Sequence, residues 1–177
     1  MNEVSLQLWG KFTLGSLFNI VKGTRLTKSD MKEGDINYVG ASAFNNGVTA
    51  HIGNTDNIHP GGLLTVCYNG SIGQTFYQES RFWATDDVNV LYPKFNMTKY
   101  IALFIAPLIK IVGRNYQYTD KWQIEDMKRS VIYLPIKSDN SPNWGYMDLY
   151  MRKLSCKAKR SLDILQSVVT PPTRNEY

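Results

Sequence analysis

Residues 63–77 read Leu-Leu-Thr-Val-Cys-Tyr-Asn-Gly-Ser-Ile-Gly-Gln-Thr-Phe-Tyr: a short apolar run, a loop holding Gly70 and Gly73, and a second short run. Glycine-rich loops of this kind either cradle a phosphate or turn the chain. A phosphate loop needs a longer glycine-bounded segment, a Lys-Ser/Thr pair and a helix whose N-terminus meets the anion. No lysine follows Gly73, and Gln74–Tyr77 reads as a strand. A GXXG clamp of the kind that grips nucleic-acid backbone joins helices, whereas this loop sits between β-like runs. The two glycines most simply make a tight connection between strands.

Working outward, the first 140 or so residues hold several such runs separated by turn residues. Phe18–Lys22, Ile36–Ala41, Val48–Ile52, Leu63–Tyr68, Gln74–Tyr77, Val88–Tyr92 and Val131–Ile136 read as strands. Asn45-Asn46-Gly47 between two of them is a hairpin signal, because Asn and Gly tolerate positive φ. Thr27 and Ser29 cap a short turn through Lys32, ended by Gly34. Thr98 caps a buried helix through Leu103 and Phe104 that Pro107 bends or ends, and a further short helix covers Gln123–Arg129.

The last forty or so residues differ. One long helical pattern runs from about Asn143 to Val168, with Met147, Met151, Leu154, Ala158, Ser161, Leu165 and Val168 at alternating four- and three-residue steps and Leu162 beside the seam. Its other side carries Arg152, Lys153, Lys157, Lys159 and Arg160, offset by Asp148 and Asp163. A narrow apolar seam with a charged back suits pairing with another helix better than burial. At 1.5 Å per residue such a helix is about 39 Å long, and Pro171-Pro172 stops it. The expected fold class is α+β: a β-rich globular domain with short helices over residues 1–141, one long coiled-coil-forming helix over 142–170, and a tail over 171–177.

Composition narrows the function classes. Of 177 residues, 43% are apolar and 12% aromatic, which argues for a folded globule. A formal charge of +5 points towards an anionic partner. Cys67 and Cys156 read as isolated thiols in a reducing compartment, and with His51 and His59 they show no metal-ligand spacing. Met1–Gly10 carries Glu3 and no long apolar run, so no signal peptide is expected. The most apolar stretch, residues 100–109, spans about half of the roughly 20 residues a membrane helix needs. The expectation is a soluble, cytoplasmic protein without cofactor or metal.

Catalytic patterns are weak. Asp86 and Asp87 are adjacent, so on a strand they point to opposite faces and cannot work as a paired acid and base. Gly70-Ser71-Ile72-Gly73 lacks the spacing of a nucleophile elbow.

The blocks WGKFTLGSLFNIVKGTRLTKSDM (9–31), INYVGASAFNNGVTAHI (36–52) and LLTVCYNGSIGQTFYQESRFWATDDVNVLYP (63–93) resemble a target recognition domain. Such domains belong to the specificity (S) subunit of type I restriction–modification systems and to related subunits of some two-subunit restriction enzymes. KYIALFIAPLIK (99–110), DKWQIEDMKRSVIYLPI (120–136) and the long helix continue the resemblance to about Val169. It implies a non-catalytic protein that reads double-stranded DNA. Methyltransferase (M) subunits would bring S-adenosylmethionine and flip an adenine, and a restriction (R) subunit would cut. A full S subunit carries two recognition domains, each followed by a long helix; this chain holds one of each. It is then either a half-subunit working as a homodimer or a piece of a longer protein. An antiparallel homodimer implies matching half-sites and an interrupted palindrome. Its helix pair would be a ruler of at most roughly 11 base pairs.

Base-reading candidates are Asn45, Asn46, Asn69, Gln74 and Arg81, because amides pair with adenine and Arg with guanine. Phosphate candidates are Arg25, Lys28, Arg114 and Lys121, with Tyr68, Tyr116 and Tyr118 as hydroxyl donors. Asn45 and Asn46 have turn geometry as an equal explanation, and Trp83 and Trp122 read as core. Partner-helix candidates are Met147, Met151, Leu154, Ala158, Leu162 and Leu165. Two rival readings stand beside this one: a β-rich hydrolase using Asp86 or Asp87, and a coiled-coil adaptor that binds protein.

Overall fold

The structure, a computed structural model, describes residues 8–116 and 121–169. Among the described residues three sheets build the domain. The largest holds β2 (Phe18–Lys22), β8 (Val88–Pro93), β5 (Leu63–Cys67) and β6 (Thr75–Gln78), in that order and antiparallel throughout. The second has β3 (Ile36–Val39) at its centre, antiparallel to β4 (Val48–Ile52) and parallel to β7 (Phe82–Ala84). The third is a ribbon of β1 (Trp9–Thr13) against β9 (Val131–Pro135).

Strand β5 explains how these layers stack. All five of its residues are buried, as its unbroken apolar run requires of a strand covered on both faces. Leu64 and Val66 point into a core shared with Leu91 and the helix α2 (Lys99–Gly113). Leu63 and Cys67 point the other way, onto Val39, Phe82 and Ala84 of the second sheet. Burial pushes the Cys67 thiol up to about 12, so it behaves as an inert apolar residue.

Helix α2 starts at Thr98, whose hydroxyl accepts from the Ile101 amide. It runs six residues past Pro107. The proline removes the amide that would bond the Leu103 carbonyl, but Ile101, Ala102, Ile105, Ala106 and Ile109 form a continuous buried stripe that holds the helix across the gap. Two short helices, α1 (Leu14–Leu17) and α3 (Ile124–Arg129), lie against each other beside β2.

The long helix α4 (Trp144–Val169) has 26 residues, and its root belongs to the globule. Met147 is fully buried in the main core. Trp144 stacks on Phe95 at 3.9 Å and 6°, and Asp148 receives hydrogen bonds from Thr98 and Arg152. Met151 is half-buried, and beyond it Leu154, Ala158, Ser161, Leu162 and Leu165 are exposed. The seam expected to face a partner therefore divides: Met147 serves this domain's own core, and the stretch from Leu154 outward is free of it. Between α4, α2 and β1 runs an apolar groove of about 420 Å³ that includes Trp9, Phe104, Tyr150 and Met151.

Candidate nucleic-acid interface

Strand register gathers four connections at one end of the two larger sheets. Strand β3 ends beside β7, with Val39 opposite Ala84. Cys67, the last residue of β5, lies opposite Val88, the first of β8. Lys22, closing β2, lies opposite Asn89. Hence the segment after β2, the β3–β4 turn, the β5–β6 loop and the β7–β8 turn share one edge.

Hydrogen bonds tie them together. Gly23 and Thr24 donate to the carbonyls of Val88 and Ala84 at 2.9 and 2.8 Å, and the Trp83 indole donates to the Thr24 carbonyl at 2.7 Å. The Tyr68 hydroxyl donates to the Asp86 carbonyl at 2.8 Å, and the Asn69 amide donates to the Asp87 carboxylate at 2.7 Å. Gly70 meets Ala41 closely enough that a Cβ would come within 3.1 Å of the Ala41 Cβ. The β5–β6 loop is closed on itself by Cys67 N to the Gln74 carbonyl and Gly73 N to the Cys67 carbonyl, at 2.9 and 2.8 Å. Gly70 and Gly73 take φ of +71° and +80°, conformations that favour glycine. The loop thus turns the chain, as read from the sequence.

Most predicted contact residues stand at this end. Arg25 and Lys28 line an open groove of about 470 Å³ with Tyr38, Thr49, Asp86 and Asp87. Arg114 caps the end of α2 and is exposed, as is Lys121. Both segments reach this edge because Gly113 packs on Gly73 and Trp122. Gln74 opens β6 from the same loop. Tyr116 is half-buried, stacked on Trp122 at 5.3 Å. Tyr118 lies outside the described residues.

Several side chains have structural tasks. Asn45 and Asn46 adopt φ of +48° and +54°. The Asn45 amide donates to the Val48 carbonyl and the Asn46 amide to the Tyr77 carbonyl, at 3.1 and 3.0 Å, and buried Gln78 returns a bond to the Asn46 carbonyl. These two asparagines build the turn. Asn69 gives its amide to Asp87 and its Oδ1 is buried, so it shapes its loop. Trp83 and Trp122 are both core. Arg81 is exposed but stands apart: it follows β6, at the end of the β5–β6 hairpin opposite the 68–74 loop.

Lys22 was missed. Its ammonium sits 5.5 Å over the Tyr68 ring, and a hydrogen bond to that phenol holds it above the usual lysine range. Its place as the last residue of a strand was the available signal. His59 is held low by burial and lies 2.7 Å from the Tyr92 hydroxyl, remote from this edge. Among the described residues no group of three His, Cys, Asp or Glu side chains could hold a metal, and no helix is long and apolar enough to cross a membrane.

Residues 7–166 match the family described as "Type I restriction modification DNA specificity domain". The chain belongs to that family. It is 36% identical over 150 residues to the specificity subunit S.BcgI of a type II restriction enzyme from Heyndrickxia coagulans, an alignment covering 84% of this chain and 44% of that protein. Its fold is that of the type I restriction–modification S subunit from M. genitalium, with a TM-score of 0.62 at 16% identity over 94% of this chain and 45% of the other. The HsdS subunit from Thermoanaerobacter tengcongensis gives 0.59 at 13% identity, over 97% and 43%. The chain thus spans less than half the length of the relatives it matches.

Proposed function

We propose that this chain reads double-stranded DNA sequence for a restriction–modification complex and directs methyltransferase and endonuclease subunits to the target without doing chemistry itself. The observation that carries this reading is the gathering of Lys22 at the end of β2, Arg25 and Lys28 in the segment after it, Arg114 at the end of α2 and Lys121 beside Trp122 on one edge of a domain that belongs to the DNA specificity family. Lys28, Arg114 and Lys121 contact phosphates, which fix register, and side chains of the 24–28 segment and the 68–74 loop reach base edges. Residues 1–141 act as the recognition domain and 142–170 as the spacer.

Because the matched relatives are more than twice the aligned length, two such units act together, through a second copy or within a longer chain. The free part of α4, with Leu154, Ala158, Leu162 and Leu165, pairs with another helix and sets half-site spacing. The protein works in the cytoplasm, where such a complex meets DNA. A hydrolase centred on Asp86 and Asp87 is disfavoured, since the Asn69 amide takes up the Asp87 carboxylate and leaves no paired acid and base.

The test is selection from a randomised duplex pool, with the chain alone and with a cognate methyltransferase subunit. Enrichment of an interrupted palindrome supports a dimer of like units, and an asymmetric site supports a second, different recognition domain. No enrichment in either case removes the DNA-reading role.

A further inference from the structure

Asp86 poses a problem on a surface that meets a polyanion, because a carboxylate there repels phosphate. It is nevertheless held in place from all sides. Its carbonyl accepts from the Tyr68 hydroxyl at 2.8 Å. The next residue is fixed through its carboxylate by Asn69 and through its carbonyl by the Tyr68 amide, at 2.7 and 3.1 Å. Thr85 before it donates its amide to the Val39 carbonyl at 2.9 Å and accepts from Val88 at 3.0 Å. The backbone that aims Asp86 into the groove is therefore rigid, and its side chain is 35% exposed there.

Across the groove Arg25 Nη1 stands 3.9 Å from Asp86 Oδ2. Charge-assisted hydrogen bonds are about 2.7–2.9 Å long, so neither head is committed to the other. The duplex groups that favour a carboxylate are the base amines, cytosine N4 first, while Arg takes guanine O6 and N7. In a G·C pair, O6 and N4 are themselves hydrogen-bonded, about 2.9 Å apart, and both lie on the major-groove edge. Two opposite heads at the separation of Arg25 and Asp86 match that edge.

We propose that Arg25 and Asp86 together read one G·C pair, Arg25 donating to guanine and Asp86 accepting from cytosine N4. This rests on the DNA-reading role proposed above. It takes Arg25 off the phosphate backbone and gives Asp86 a task in recognition. The two charges also offset each other in the free protein, so the groove does not hold phosphate indiscriminately.

The experiment is selection from a randomised duplex library by the full chain with its methyltransferase subunit, for wild type, Asp86→Ala, Asp86→Asn and Arg25→Ala. Wild type should fix a G·C pair at one position of the half-site. Asp86→Ala should lose that preference by roughly 5- to 150-fold with other positions retained, and the near-isosteric Asp86→Asn should lose the cytosine preference while keeping the turn. Arg25→Ala should relax the same position and leave the salt dependence of binding unchanged. Unaltered preference in the Asp86 variants overturns the pairing, as does a wild-type site with no fixed G·C pair. A salt slope lowered by about 0.9 in Arg25→Ala puts that residue on phosphate and overturns it too. Wild type enriching nothing is a different failure, that of the DNA-reading role itself.

Discussion

Gly73 and Gly113 meet backbone to backbone: a Cβ built on Gly113 would stand 2.4 Å from the Gly73 Cα and 2.9 Å from the Trp122 ring. The glycine of the β5–β6 loop is thus a seat for the end of α2. That contact brings Arg114 and Lys121 to the same edge as the loop. It links the glycines of the sequence to function through position, with no role for them as ligands.

Gly113→Ala should destabilise the domain by about 1–3 kcal/mol through overpacking, despite the roughly 1 kcal/mol that alanine gains over glycine in a helix. Gly73→Ala carries a further cost of about 1–2 kcal/mol for its φ of +80°. Gly62 is the control, since its φ is +83° but a Cβ there meets nothing within 4 Å. Urea unfolding of the three variants separates crowding from backbone strain. Equal losses for Gly62→Ala and Gly73→Ala would remove the close contact from the account.

The position of charges at the edge predicts different salt responses. Arg114→Ala and Lys121→Ala should each weaken binding to all duplexes and lower the slope of log K against log salt by about 0.9. Arg81→Ala should leave both affinity and selectivity in place, because Arg81 follows the opposite end of the hairpin. Titrating a labelled duplex at several salt concentrations checks all three, and a slope change for Arg81→Ala alone would relocate the interface.

How far the sequence carried this picture depended on where each signal came from. Local signals read well: the apolar run of β5, the Asn45-Asn46-Gly47 turn and the Thr98 cap all stand where periodicity and turn chemistry put them. Strand β1 was missed because Gly10 and Lys11 interrupt its pattern and its partner β9 lies more than a hundred residues away. Strand β7 has three residues, too few for a period to show, and helix α1 has four. The candidate site was legible as residue types but not as a place. By residue type Arg25 and Arg81 are both DNA-contact candidates, one for phosphate and one for a base, and only the register of β5 with β6 and of β3 with β7 puts them at opposite ends. Asn46 looked like a reader of bases because an amide suits adenine; its positive φ and its bonds to β6 make it a turn residue instead.

The root of α4 should be sensitive to acid. The Arg152 guanidinium, and after it the Thr98 hydroxyl, hold the Asp148 carboxyl below its usual range. A depressed folded value means this stabilisation is present above the unfolded carboxylate pKa and is lost as pH falls through the folded one. Asp148→Asn should therefore lower Tm near neutral pH, and its gap from wild type should narrow below about pH 4. Thermal unfolding of both proteins at pH 7 and pH 3 makes the comparison, with other carboxylates common to the pair. A constant gap would show that Asp148 acts through packing and not through its charge.

The division of α4 into a docked root and a free stretch gives the last prediction. Leu162 and Leu165 are 59% and 60% exposed, so Leu162→Asp with Leu165→Asp should change domain stability by no more than about 0.5 kcal/mol per site. Burying either aspartate in a helix–helix seam is costly, so the same pair should abolish self-association or docking to a methyltransferase subunit. Met147→Ala should do the reverse in part, costing about 2–5 kcal/mol of stability because Met147 is fully buried. Sedimentation velocity paired with urea unfolding reads both effects on each variant. If the double aspartate variant assembles as wild type does, the partner does not use the far stretch of α4, and the groove beside Trp9, Phe104 and Tyr150 becomes the surface to mutate next.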